Sequence, residues 1–224
     1  MKTQRSLAAG ALLALAVAAS ADQRYFVFTY DWNTPSRYER ELEFTYDHFR
    51  DGTGFGQLEF EYGMTDRWMV APYILFEQDH GKTRVAGFQL EQRYRFGDFH
   101  YRRVLPAVYF EVHKENHSSY ELEGKLIGSY MPNADWIASG NLIVEQHIET
   151  GAKTEMGYAA GISRIYSNFN LGVETKGNFL ENEHIFGPCV GFIVGDRTKI
   201  SLGTMKSFGK GDVSEIRLLF EKEF

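Results

Sequence analysis

In "ELEFTYDHF", residues 41–49, apolar and polar positions alternate without a break. Leu42, Phe44 and Tyr46 fall on one face, and Glu41, Glu43, Thr45 and Asp47 on the other. "QLEFEYG" (57–63) sets Leu58, Phe60 and Tyr62 against Gln57, Glu59 and Glu61. "FQLEQRYRF" (88–96) sets Phe88, Leu90, Tyr94 and Phe96 against Gln89, Glu91, Arg93 and Arg95. A period of two is the signature of a strand with one apolar and one polar face; helical spacing would scatter these glutamates around the axis. The pattern recurs over 37–49, 55–64, 67–78, 84–97, 103–113, 119–131, 135–147, 154–166, 168–177, 183–194, 198–207 and 213–224. The connections, among them "RDGTG", "DHGKT", "PNAD", "ETGAK" and "GDRTK", are short and rich in Gly, Asn and Asp, as hairpins require.

Most of these segments exceed the five or six residues usual in soluble sheets and suit the roughly 9–11 residues that cross a bilayer at a tilt. Every second connection is bracketed by aromatics: Tyr62 and Trp68, Phe96 and Tyr101, Tyr130 and Trp136, Tyr166 and Phe169. Rings with one polar edge favour the membrane–water interface, so this spacing predicts an aromatic girdle. The expected fold is all-β: an antiparallel transmembrane barrel of twelve strands joined by short hairpin turns, occupying residues 37–224. Pro72, Pro106 and Pro188 fall inside predicted strands, and each removes a ladder donor, so local bulges are expected there. "RYFVFTYDW" (24–32) also reads as extended, but a thirteenth crossing conflicts with the even count of bacterial barrels. Residues 22–36 are therefore expected to be a partial strand or a leader entering the lumen.

Lys2 and Arg5, the apolar run Leu7 to Ala18 and "ASA" at 19–21 have the form of a secretory signal peptide, with cleavage expected after Ala21. Formal net charge is −6 for the 224 residues, and loss of the leader's two bases takes it to −8, which argues against a nucleic-acid partner. Cys189 is the only cysteine, so no intramolecular disulfide can form. No run of 18 apolar residues follows residue 21, which excludes a transmembrane helix.

The last segment places Ile216, Leu218, Phe220 and Phe224 on one face and ends on the aromatic. This ending resembles the sorting signal of bacterial outer-membrane β-barrel proteins, and "LEFEYGMTDRWMVAPYILFE" (58–77) is similar to uncharacterised, porin- or transporter-like members of that class. The resemblance implies export, insertion by the barrel-assembly machinery through a signal that includes Phe220 and Phe224, and residence among outer-membrane lipid and lipopolysaccharide. It names no activity.

Strand parity assigns the lumen. Its expected lining includes Glu41, Glu43, Glu59, Glu61, Glu91, Arg93, Arg95, Glu121, Glu123, Lys125, Glu174 and Arg217. Over the whole barrel sixteen acids and five bases take inward positions, a surplus that pairing cannot neutralise. Segments 154–166 and 183–194 turn Gly157, Ala159, Gly161, Gly187 and Gly191 inward, leaving one wall nearly bare. The expected function is a small passive channel for polar or cationic solutes, with water running along the bare wall. His113, His147, Glu111 and Glu145 face inward near one mouth with His117 between them, a mixed imidazole–carboxylate set that suits a weakly bound divalent transition metal. No other cofactor is expected. A non-conducting structural or metal-binding barrel is the alternative. "HSS" (117–119) resembles the His–Ser pattern of barrel lipid hydrolases, but Ser119 shares the inward face with Glu121, whereas those enzymes act on lipid from the outer wall; the chain is not expected to be an enzyme.

Overall fold

A computed structural model describes residues 24–116, 118–181, 183–207 and 214–224. The expected signal peptide lies outside them. Twelve strands follow one another: β1 Arg40–Phe49, β2 Gly54–Thr65, β3 Trp68–Asp79, β4 Lys82–Arg95, β5 Val104–Glu115, β6 Tyr120–Asn133, β7 Trp136–His147, β8 Thr154–Ile165, β9 Phe169–Asn178, β10 Glu183–Ile193, β11 Thr198–Ser207 and β12 Ser214–Glu223. Each pairs antiparallel with its neighbours, and β1 pairs with β12 from Glu41↔Glu223 to Phe49↔Glu215, closing the barrel. Closure leaves no edge with unpaired backbone groups, the condition for placing a sheet in lipid. The near mouth is the one at which β1 begins and β12 ends; the far mouth is opposite.

The alternation sorts side chains as the sequence pattern predicts. Phe60, Ile74, Phe88, Phe110, Leu126, Leu142, Leu171 and Leu218 stand exposed on the outside. The inward partners along the same strands are buried, and many are charged. Aromatic contacts ring the near mouth: Tyr94 and Phe96 with ring centres 5.1 Å apart, Phe99 and Tyr101 at 4.6 Å, and Tyr166 stacked on Phe169 at 4.4 Å.

One structural expectation needs correction. Pro72, Pro106 and Pro188 sit in continuous register, paired with Leu90, Gly128 and Val173, and cause no shift. All three point outward, so each costs one ladder donor without displacing a neighbour. The register shifts lie elsewhere, at Gly63/Thr65, Leu75/Phe76 and Tyr130/Asn133, and the last brackets Pro132. Of the two forms expected for residues 22–36, the described part, 24–36, takes the second: it forms no strand and enters the lumen, where Phe26, Val27, Thr29 and Trp32 are buried.

Leu126 faces outward midway along β6. Leu126→Arg is expected to destabilise the barrel by about 2–4 kcal/mol, the cost of a cation near the bilayer midplane, in reversible denaturant titrations in lipid vesicles.

Candidate functional site: a carboxylate-lined lumen and its occupant

The strand register turns separate inward residues into two continuous rows. One runs Lys199, Glu221, Glu43, Glu59, Tyr73, Gln89, His113, Glu121, His147, every neighbour directly opposite the next across a strand pair. The other runs Glu223, Glu41, Glu61 on β12, β1 and β2, passes β3 at Ala71, and continues Glu91, Glu111, Glu123, Glu145, Glu155 on β4 to β8. Glu223 is the last residue of β12 and Glu155 the second of β8, so eight glutamates and one alanine wind from the near mouth to the far one. The climb follows from strand tilt: moving sideways along a ladder in a sheared barrel also moves along its axis.

Bases meet part of this charge. Arg93 reaches Glu91 at 2.7 Å and Glu61 at 3.4 Å. Lys125 pairs with Glu123 at 2.6 Å, and Lys176 with Glu215 at 2.8 Å. Arg217 grips Asp47 with two hydrogen bonds of 2.6 and 2.7 Å, the bidentate geometry that makes arginine the stronger carboxylate partner. Arg95 sits apart near the turn at Asp66, donating to its carbonyl at 2.8 Å and lying over the Trp32 ring at 4.9 Å. Lys199, buried on β11, is a further inward base beyond the expected five; alternation over 198–207 puts it on the face of Ser201 and Met205.

Residues 24–36 occupy the space between the walls. Arg24 binds Glu43 at 2.6 Å, and its amide donates to Glu221 at 3.0 Å. Val27, Phe28 and Thr29 donate three successive amides to the Glu174 carboxylate, at 2.7, 2.8 and 2.7 Å. Consecutive N–H groups converging on one anion form a nest, and hydrogen bonds to a buried charge are worth about 1.5–3 kcal/mol each. Tyr30 exchanges a pair of 2.8 Å hydrogen bonds with the Asn141 amide. The amide of Trp32 donates to Ser129 at 3.0 Å, and Arg93 donates to the Asn33 carbonyl at 3.0 Å. Three cations surround the Tyr30 ring: Arg24 at 4.4 Å, Lys125 at 4.3 Å and Arg93 at 4.9 Å. The segment thus touches β12, β1, β9, β7, β6 and β4.

The bare wall is where it packs. A Cβ on Gly161 would lie 2.7 Å from the Phe26 ring, and one on Gly203 would lie 2.7 Å from Phe28 and 3.1 Å from Val27. Of the wall expected to line an off-centre water path, Gly161 instead receives Phe26, while Val27 and Phe28 pack with Cys189 and against Gly203 on the neighbouring β11.

The expected metal ligands are neighbours in register but do not converge. His113 faces Glu111 at 3.9 Å and Glu115 at 3.5 Å, while His147 faces Glu121 at 3.5 Å; Glu145 lies one row further in. His117 is outside the described residues, and with it the His117–Ser119 pair. Among the described residues, carboxylate oxygens come within 4.8 Å of one another in two triads, Glu41–Glu43–Glu221 and Glu43–Glu59–Glu61. Glu145, Lys176 and Asn178 line a cavity of about 230 Å³ near the far mouth. A larger concavity, about 590 Å³, lies over Gly128, Gly140 and Ala160 and is flanked by the outward Leu126 and Leu142.

Solved structures share this architecture. A KdgM porin in complex with disordered oligogalacturonate superposes with a TM-score of 0.65 at 8% identity, covering 82% of this chain and 99% of that one. The chain has the fold of the porins. A NanC porin gives 0.64 at 8% identity over 80% and 98% of the two chains, and the Acinetobacter baumannii outer-membrane protein Omp33 gives 0.53 at 8% over 84% and 98%. No protein-family model matches the sequence, and no curated protein matches it. Closed, apolar outside and alike in fold to outer-membrane porins, the barrel resides in the bacterial outer membrane.

Gly203→Leu is expected to lever Val27 and Phe28 off the wall while leaving the strands paired. Limited trypsin digestion of the refolded protein should then cut after Arg24, buried in the native barrel, at least tenfold faster than in the parent.

Proposed function

We propose that the barrel is a passive channel selective for cations and small cationic solutes, closed while residues 24–36 fill its lumen. The row of eight glutamates from mouth to mouth carries this reading. Fixed carboxylates spaced by one strand separation, roughly 4.8 Å, and by two where Ala71 interrupts the row, offer a hydrated cation a succession of weak sites, and conduction needs many sites of which none holds tightly. An anionic solute would meet the same charges as a barrier. The solved KdgM structure holds an oligogalacturonate, a polyanion, and a lumen in which acids outnumber bases argues for the opposite charge preference here. Most bases are already committed to ion pairs, which leaves the far-mouth glutamates Glu145 and Glu155, neither in an ion pair among the described residues, to set the sign.

A non-conducting barrel is the second reading, and the occupant itself favours it. Planar-bilayer recordings in a salt gradient decide between them. Glu174→Ala removes the acceptor of three occupant amides and is expected to raise single-channel conductance, with a reversal potential of cationic sign. Adding Glu123→Gln, Glu145→Gln and Glu155→Gln should move that potential toward zero at similar conductance. Silence from both the parent and Glu174→Ala would favour the non-conducting barrel.

A further inference from the structure

The lumen wall meets its occupant chiefly through the occupant's main chain. Glu174 takes the amides of 27, 28 and 29, and Asn141 both accepts from the Tyr30 amide and donates to its carbonyl. Asn170 donates to the Tyr25 carbonyl at 2.9 Å, Ser129 accepts from the Trp32 amide, and Arg93 holds the Asn33 carbonyl. Donors and acceptors on the wall thus match the alternating C=O and N–H groups of a polypeptide. The two-way contact of Asn141 is the most specific of these, because a side-chain amide paired with a backbone amide reproduces one rung of a β-ladder. A simple ion has no such pair of groups to offer. Some of the occupant's side chains meet surfaces that tolerate variation, since Phe26 and Phe28 lie over glycines and the Tyr30 and Phe28 rings lie against cations that any aromatic would attract; Arg24 on Glu43 and Trp32 among Leu105, Tyr109 and Ile127 are the side-chain contacts a foreign peptide would lack.

We propose that the lumen is a binding site for extended peptides, of which residues 24–36 are the tethered example, and that it recognises backbone rather than sequence. The tether explains why that segment holds the site: a linked ligand competes at an effective concentration of order mM, so a free peptide gains access only when the link is cut or the segment withdraws. This inference does not depend on conduction.

Arg37 and Tyr38 are exposed at the near mouth, where the segment joins β1. A site-specific protease sequence inserted between them allows the full chain to fold first and be cut afterwards, with heat-modifiable migration confirming an intact barrel. Fluorescently labelled synthetic peptide 24–36 and a scrambled peptide of the same composition are then titrated by anisotropy. The expected result is exchange of both into the cut barrel, with Kd values within about tenfold of each other, and little binding of either to uncut protein. Asn141→Leu, which removes the two-way contact, should weaken both peptides alike by tenfold or more. Binding of the native peptide alone would overturn the proposal, since the wall would then be reading side chains. Binding of neither peptide, or an Asn141→Leu barrel that binds both as tightly as before, would overturn it too. The readout is optical, so silence in bilayer recordings leaves it standing.

Discussion

Inside a bilayer a peptide group has no water to turn to, and the rest of this structure depends on that constraint. Every strand must find a neighbour on both sides, so the sheet must close, and β1 meets β12 in an unbroken ladder of nine pairs. Closure in turn divides the side chains. One set faces lipid and is apolar; the other is enclosed, and here it carries a high density of carboxylates. The enclosed set cannot be left dry and unpaired, because isolated buried charge is prohibitively costly. The lumen resolves this with Arg93, Lys125, Arg217, Lys176 and Lys199 from the walls, and with Arg24 and a run of amides from the occupying segment.

The occupant and the wall are therefore complementary in a particular sense. Glu174 stands opposite Gly161 on β8 and Gly187 on β10, which offer it no side chain, and the nest of amides from 27–29 satisfies it. Those same amides belong to a segment with no strand of its own and would otherwise lack partners. At this contact each side satisfies the other's polar groups, which helps to order thirteen residues without regular structure inside a barrel.

Much of this was legible in the alternation of residues. All twelve strands lie where period-two patterning and turn chemistry put them, and the aromatics bracketing every second turn do form a girdle. Parity along one strand says which residues share a face, but not which residue on the next strand stands opposite. The winding rows of glutamate depend on that pairing, and so could be seen only as a surplus. The glycines of 154–166 and 183–194 were visible as a bare wall, yet an absence of side chains reads equally as open water or as room for a guest. "RYFVFTYDW" held the answer: five aromatics on nine residues need burial, and no partner strand was left to provide it. The histidines show the opposite limit. His113 and His147 share a row and a level with Glu121, but each is drawn to a nearby carboxylate, and proximity along a ladder does not aim imidazoles at a common point.

The three residues between Ser36 and Arg40 bind the guest segment directly to the strand that forms the final seam. It hydrogen-bonds β12 and β11 on one side of that seam and β4, β6, β7 and β9 around the rest of the wall. Because the segment leads straight into β1, it can be laid against a still-open sheet and enclosed as β1 and β12 come together, with no need to thread a finished cylinder. The connectivity thereby permits the interior to be furnished before the last side is joined.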